Sequence, residues 1–202
     1  MSELTVLRAV RLKGRLSEAD LVATLVDDNP DDVSATVAQL TESGLLIQGK
    51  TLRISPEGRE RLNALLEEER SGVDQKALAA AYEDFRAVNN EFKAVMSDWQ
   101  IKDGQPNSHD DSEYDAAVLN RLKDVHQHAL PIVAAVTASL PRLGAYAKKL
   151  DSALAKVEAG DTTWLARPII DSYHTVWFEL HEELIAASGL TREEEARAGH
   201  AS

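Results

Sequence analysis

The segment QLTESGLLIQGKTLRISPEGRERLNALL, residues 39–66, decides the fold of the N-terminal third of the chain. Two β-prone runs, 45–47 and 52–54, are joined through Gln48, Gly49 and Lys50, and the glycine allows the tight turn of a β-hairpin. Ser55 and Pro56 then begin a helix, because serine caps free amide groups and proline fits the first helical position. The segment therefore predicts a two-stranded hairpin that is followed directly by a helix.

Three short helices are predicted upstream of the hairpin. Apolar residues recur in each of them with the spacing of a helix that buries one face. Their boundaries are marked by residues with capping chemistry, namely Gly14, Ser17, Asn29, Pro30 and Gly44. The third helix, between Asn29 and Gly44, has Val33, Val37 and Leu40 as its buried stripe and is the candidate recognition helix.

Residues 4–70, and the segment quoted above in particular, resemble bacterial winged-helix regulators of the MarR and PadR type. The resemblance implies a winged helix-turn-helix domain over residues 1–70, with the hairpin as a two-stranded wing. It also implies DNA binding through the third helix and the wing, usually as a homodimer, beside a helical region that senses an effector or builds the dimer. The candidate DNA contacts are Ser34, Thr36 and Gln39 on the helix and Lys50 and Arg53 on the wing.

The charge of this region opposes DNA binding. Residues 1–70 contain nine basic and thirteen acidic residues, a net charge of −4 in a chain whose total is −12. Residues 16–49 contain no Lys or Arg, although DNA affinity comes largely from such cations at phosphates. Four aspartates instead surround the start of the third helix, Asp27, Asp28, Asp31 and Asp32. Near the N-terminus, Arg8, Arg11, Lys13 and Arg15 could form one basic edge.

The composition excludes several classes of protein. With 44% hydrophobic and 28% charged residues the chain is expected to be globular, and its 202 residues suit two domains. The absence of cysteine excludes disulfides, thiolate nucleophiles and Cys-ligated metals. We expect a cytoplasmic protein without a signal peptide or a membrane span. No glycine-rich phosphate loop or nucleophile elbow is present, so we do not expect an enzyme.

Residues 74–190 predict an antiparallel bundle of four long helices, so the fold class is mainly α. The first helix, with apolar positions from Leu78 to Trp99, is also a candidate dimer seam. Pro131 is expected to kink the second helix, and Pro168 marks either a kink in the fourth helix or its start. Residues 191–202 are interpreted as a polar tail, and the runs EEER and REEEARAG as solvated.

The segment RPIIDSYHTVWFELHEELI in the last long helix is the most unusual of the chain. At about 100° per residue, Asp171, His174 and His181 share one stripe with Glu182 at its outer edge, and a zinc, manganese or iron site can be assembled from it. The candidate ligands are Asp171, His174, His181 and Glu182, together with His126 of the second helix. The alternative is that these histidines are only hydrogen-bonded at the rim of an apolar face.

A wider hypothesis places a ligand pocket along the same stripe, with Tyr173 and Trp177 as walls. Asn89, which interrupts the apolar face of the first long helix, either faces such a polar pocket or is a satisfied core amide. The architecture is similar to GntR-type regulators, whose winged helix precedes a helical, sometimes metal-binding, effector domain.

Three functions remain open at this point. The first is a dimeric winged-helix transcriptional regulator whose helical domain senses an effector or a metal. The second is an acidic adaptor whose winged helix binds a protein partner. A third, minor hypothesis is a metal-dependent activity in the bundle. Basic residues on the surface of the third helix and the wing would favour DNA, and acidic ones would favour protein.

Overall fold

A computed structural model describes residues 2–199 of the chain. The protein is mainly helical, with two small antiparallel sheets of two strands each. The helices are α1 Glu3–Lys13, α2 Glu18–Thr24, α3 Pro30–Glu42, α4 Pro56–Ser71, α5 Gln75–Gln100, α6 Ser112–Ser139, α7 Ala145–Glu158, α8 Thr163–Ala166, α9 Tyr173–Ala187 and α10 Arg192–Arg197. The strands are β1 Leu46–Gln48, β2 Leu52–Ile54, β3 Ile101–Lys102 and β4 Gln105–Pro106, and a 3₁₀ turn spans Pro141–Gly144.

The predicted caps of the first three helices are present. Ser17 and Asp20 form a reciprocal capping box at the start of α2, and the Asn29 side chain accepts a hydrogen bond from the Asp31 amide ahead of α3. Gly14 ends α1 with a φ of 76°, a conformation that favours glycine. Local chemistry therefore sets these boundaries.

The hairpin forms as predicted, with Leu46 opposite Ile54 in an antiparallel register. An additional bridge joins Leu16, in the connection between α1 and α2, to Leu52 of β2. Gly58 allows α4 to start against the hairpin, because a Cβ atom there would lie 2.1 Å from the Leu45 carbonyl oxygen. The hairpin is thus held between the first and the fourth helices.

The buried apolar residues form two separate cores. One is formed by α1–α4 and the hairpin, and includes Leu7, Leu21, Val37 and Leu52. The other is formed by α5–α9 and centres on aromatic side chains that include Phe85. The apolar face of α5, predicted as a dimer seam, is buried within the same chain.

The helix α6 continues past Pro131 to Ser139, as predicted for the second long helix. Of the two alternatives for Pro168, the structure has the one in which the proline precedes the start of the fourth long helix. Residues after Asp161 form only the short α8, and α9 begins after Pro168, at Tyr173, where the Ser172 side chain caps it. The expected polar tail contains α10, which packs on α5 through a buried ion pair between Glu195 and Arg86.

Candidate functional site

The exposed surface of α3 is acidic. Asp31, Asp32 and Glu42 are all exposed, and the helix contains no Lys or Arg. Of the three residues predicted to touch bases, Gln39 is exposed, whereas Ser34 and Thr36 are half-buried. The Thr36 hydroxyl donates a hydrogen bond to the Asp32 carbonyl oxygen at 2.8 Å. These side chains therefore offer a polar surface without the positive charge that a phosphate backbone requires.

Three exposed cations of the N-terminal unit lie at or beside the hairpin. Lys50 and Arg53, the two predicted wing contacts, are both exposed. The bridge between Leu16 and Leu52 brings the exposed Arg15 next to β2 as well. The hairpin thus presents a small basic patch that is separate in sequence from the acidic residues of α3.

The prediction of one basic edge in and after α1 is wrong, because its four residues do not share one exposed face. Arg11 and Arg15 are exposed, but Arg8 is only 8% exposed and the Lys13 side chain only 12%. Both buried side chains point toward α9, where acidic residues neutralise them. Lone buried charges are unfavourable, so these two cations need the carboxylates of the second region.

The structure does not bring the five predicted metal ligands together. Among residues 2–199, no three His, Asp or Glu side chains lie close enough to hold a metal ion. Asp171 is held by Lys13 and Lys149, and Glu182 by Arg192. The prediction fails because the helical stripe is divided between different neighbours.

The three histidines of that prediction have separate environments. His126 Nε2 lies 2.9 Å from an Asp151 carboxylate oxygen, and its Nδ1 lies 3.2 Å from the Tyr173 hydroxyl. His181 contacts the Tyr82 hydroxyl at 3.2 Å, and burial lowers the pKa of His181 to about 4. His174 stacks on a phenylalanine ring, and burial lowers its pKa as well. The simpler interpretation, hydrogen-bonded histidines beside an apolar core, therefore applies to His126 and His181.

The three predicted ligand-binding residues belong to the core. Tyr173 and Trp177 are 0% and 2% exposed; the Trp177 ring stacks on the Phe92 ring, and the Tyr173 ring contacts it in a tilted arrangement. The Trp177 indole N–H donates a hydrogen bond to the Asn89 side-chain oxygen at 2.9 Å. Asn89 is thus the satisfied core amide of the two alternatives, and the aromatic side chains fill space rather than line a pocket.

A cluster of buried charges joins the two regions of the molecule around Glu183 of α9. Its carboxylate, 2% exposed, lies 2.6 Å from the Arg142 guanidinium and 3.1 Å from Arg8 Nε. Arg142 also donates two hydrogen bonds of 2.8 Å to the Glu69 carboxylate of α4. Burial alone would raise the pKa of Glu183, but the two arginines outweigh it and lower the pKa overall. Glu183 is therefore held as an anion.

A second group of buried charges surrounds Glu179, one turn earlier on α9. Lys13 Nζ lies 2.7 Å from the Glu179 carboxylate and 2.5 Å from that of Asp171. Lys149 of α7 contacts Asp171 at 3.2 Å. Burial raises the pKa of Glu179, and the opposing effect of Lys13 does not cancel it. Together the two groups connect α1, α4, the 3₁₀ turn and α7 to α9.

A cavity of about 260 Å³ lies beside these ion pairs. Its walls come from α1, the connection between α2 and α3, the segment from Pro141 to Lys149, and α9. Arg8, Glu179 and Glu183 all line it. The cavity thus combines buried charged groups with apolar walls, as small-molecule sites do.

Sequence reasoning missed this junction although one signal was available. Glu179 and Glu183 lie four residues apart on the apolar side of α9, outside the stripe of predicted metal ligands. Carboxylates at such positions require partners, since charged residues are almost never fully buried unless paired. The partners Arg8, Lys13 and Arg142 lie far away in the sequence, so no local pattern identifies them.

Comparison with known proteins finds no matching family model, no matching curated protein and no matching solved structure. None of the described helices is both long and apolar enough to span a bilayer.

Proposed function

We propose that this chain is a regulatory adaptor whose N-terminal unit is a winged helix that binds a basic protein surface through α3. The order of α1–α3, hairpin and α4 around one apolar core supports the winged-helix interpretation. The bridge from Leu16 to Leu52, which ties the hairpin to the first helices, is a further argument for it. The helices α5–α9 form the attached bundle that fixes this unit.

The acidic surface of α3 is the observation on which the proposal rests. A helix that enters a DNA groove passes between two rows of phosphates, and the exposed Asp31, Asp32 and Glu42 would be repelled by both. The same carboxylates favour a partner that carries Lys and Arg, because complementary charges speed association and exclude wrong partners. The cations Arg8 and Lys13, which could have offset this charge, are turned toward α9.

A DNA-binding transcriptional regulator is the second candidate, and the hairpin favours it. Lys50, Arg53 and Arg15 are exposed close to one another and could contact a phosphate backbone. By its similarity to MarR- and PadR-type proteins, such a regulator would act as a homodimer. Its dimer contact would have to use a surface other than the apolar face of α5.

Fluorescence anisotropy of the purified chain with DNA from its own upstream region, and with a scrambled duplex, separates the two functions. We expect no sequence-specific binding at any salt concentration. Sequence-specific binding would instead establish the DNA-binding regulator and refute the adaptor, if the double variant Lys50→Ala/Arg53→Ala also made the DNA affinity less dependent on salt concentration.

The partner surface is tested by charge reversal. We expect Asp31→Lys/Asp32→Lys to remove the partner that cross-links to the wild-type chain in cell extract. The matched control is Glu67→Lys/Glu68→Lys, which reverses two exposed carboxylates on α4 instead. Equal loss in both variants would mean that general acidity, and not the α3 surface, attracts the partner.

A further inference from the structure

The cavity at the junction is built from both regions of the chain. Thr5, Arg8 and Lys13 of α1 form one wall, and Arg142 and Lys149 form another. The volume of about 260 Å³ is slightly below the range of about 300–1,000 Å³ that is usual for ligand pockets, so an occupant must be small. An occupant that filled the cavity would touch the α2–α3 connection as well as α9.

The cavity is lined by equal numbers of basic and acidic side chains, of which Lys13, Lys149 and Arg142 also pair with Asp171 or Glu69 outside the lining. Four lining residues are basic and four are acidic, namely Arg8, Lys13, Arg142 and Lys149 against Asp27, Asp28, Glu179 and Glu183. A ligand with a net charge would leave an uncompensated charge in a partly buried site, which is unfavourable. A ligand without charges would leave the polar lining unmatched. A zwitterion avoids both penalties.

The lining also offers a place for each end of a zwitterion. Arg8 Nε is buried 3.1 Å from a Glu183 carboxylate oxygen, but its N–H does not meet that oxygen in regular hydrogen-bond geometry. It could donate to a carboxylate, with Lys149 as a second cation on the same cavity. The Glu179 carboxylate, which lies 2.7 Å from Lys13 Nζ, could accept a further hydrogen bond from an ammonium group.

Apolar side chains complete the cavity. Leu12, Leu25, Val26 and Pro141 all line it, and Val26 is 59% exposed, which places it at the rim. An aliphatic group on the ligand would remove this apolar surface from water, worth about 25 cal/mol for each Å² buried. The lining therefore has three parts: cations, carboxylates and an aliphatic wall.

We propose that the junction cavity binds a small aliphatic amino acid, with its carboxylate toward Arg8 and Lys149, its ammonium toward Glu179, and its side chain against Leu25 and Val26. The site depends on the junction alone and not on what the α3 surface binds. Because the occupant touches the segment between α2 and α3, its binding is able to bias the position of α3.

Isothermal titration calorimetry of the full chain tests the proposal with alanine, valine and leucine as ligands. We expect saturable binding of at least one of them. We expect at least tenfold weaker binding of two leucine analogues: isocaproate, which lacks the ammonium group, and isoamylamine, which lacks the carboxylate. The proposal is overturned if none of the three amino acids binds at millimolar concentration, or if the single-charge analogues bind equally well.

Substitutions place the binding at the cavity. Lys149→Ala should weaken the affinity about tenfold, equivalent to about 1.4 kcal/mol. The control Lys123→Ala removes a lysine–carboxylate pair outside the cavity and should leave the affinity within twofold. If Lys149→Ala does not fold by circular dichroism, Val26→Trp, which narrows the exposed rim, replaces it. Unchanged affinity in the folded cavity variant would assign the binding to another site and overturn the proposal.

Discussion

Glu179 and Glu183 lie one turn apart on α9 and are almost equally buried, at 3% and 2% exposed, yet their pKa values shift in opposite directions. Burial raises the pKa of both carboxyls. At Glu183 two guanidinium groups, Arg8 and Arg142, reverse that effect. At Glu179 the ammonium of Lys13, which is shared with a second carboxylate, does not.

Because the two carboxyls are almost equally buried, the number and kind of their cationic partners decide whether folding favours the charged or the neutral form. Arg142 donates to two carboxylates at once through its planar guanidinium, which a lysine cannot do with comparable geometry. The Glu183 group is therefore a tight connection between the two regions. The Glu179 group is weaker and is better suited to exchange partners with a ligand.

Replacing Glu183 should have the largest effect. Glu183→Gln leaves Arg8 and Arg142 buried with their main counter-charge removed, and should lower the free energy of unfolding by about 3–5 kcal/mol. Urea denaturation followed by circular dichroism measures this loss. The control Glu182→Gln removes one partly exposed pair with Arg192 and should change stability by less than about 1 kcal/mol. Similar losses in both variants would show that the buried network contributes no more than a surface pair.

The guanidinium itself is tested by Arg142→Lys. The substitution keeps the charge but removes the paired hydrogen bonds to Glu69, and should lower the free energy of unfolding by about 2 kcal/mol. The matched control is Arg121→Lys on the exposed pair with Asp98, where we expect a change below about 0.5 kcal/mol. An unchanged free energy of unfolding in Arg142→Lys would mean that the positive charge alone, without the geometry of the guanidinium, stabilises the junction.

The N-terminal elements could be predicted because their signals are local. The caps at Ser17 and Asn29 and the glycine at position 14 lie within a few residues of the backbone groups that they affect. The hairpin followed from two β-prone runs around a glycine. Such chemistry is complete within a short segment of sequence, so tertiary packing had little to alter.

The site could not be predicted because it depends on long-range contacts. Helical spacing placed Asp171 and His181 on one stripe, but it could not show that Lys13 binds the first and Tyr82 the second. In the same way Glu195 was assigned to a solvated run, whereas α10 buries it beside Arg86. In each case the deciding partner is distant in sequence.

Replacing Glu179 should have a smaller effect than replacing Glu183. In Glu179→Gln the amide oxygen can still accept a hydrogen bond from Lys13, which also keeps its contact with Asp171. The raised pKa of Glu179 means that its charged form already carries a desolvation penalty, which glutamine avoids. We expect a loss of about 1 kcal/mol or less in the same urea assay. A loss as large as that of Glu183→Gln would refute the distinction between the two groups.

The dependence of these losses on pH is the smallest expected effect and the most direct test of the comparison. Glu183 has a lowered pKa in the folded protein, so its stabilisation is present above the unfolded pKa of about 4.3 and is lost as the pH falls through the folded value. The stability difference between wild type and Glu183→Gln should therefore shrink on acidification.

Glu179 should behave in the opposite way. Its pKa is raised on folding, so the folded state binds a proton more readily than the unfolded state does, and stability is lost as the pH rises through the folded pKa. Wild type should thus gain stability relative to Glu179→Gln as the pH falls. Urea titrations of the two variants and wild type at several pH values between about 3 and 7 measure both slopes. If both slopes had the sign expected for Glu179, burial would govern both carboxylates; if both had the sign expected for Glu183, the cations would outweigh burial at both. Either result would refute the distinction.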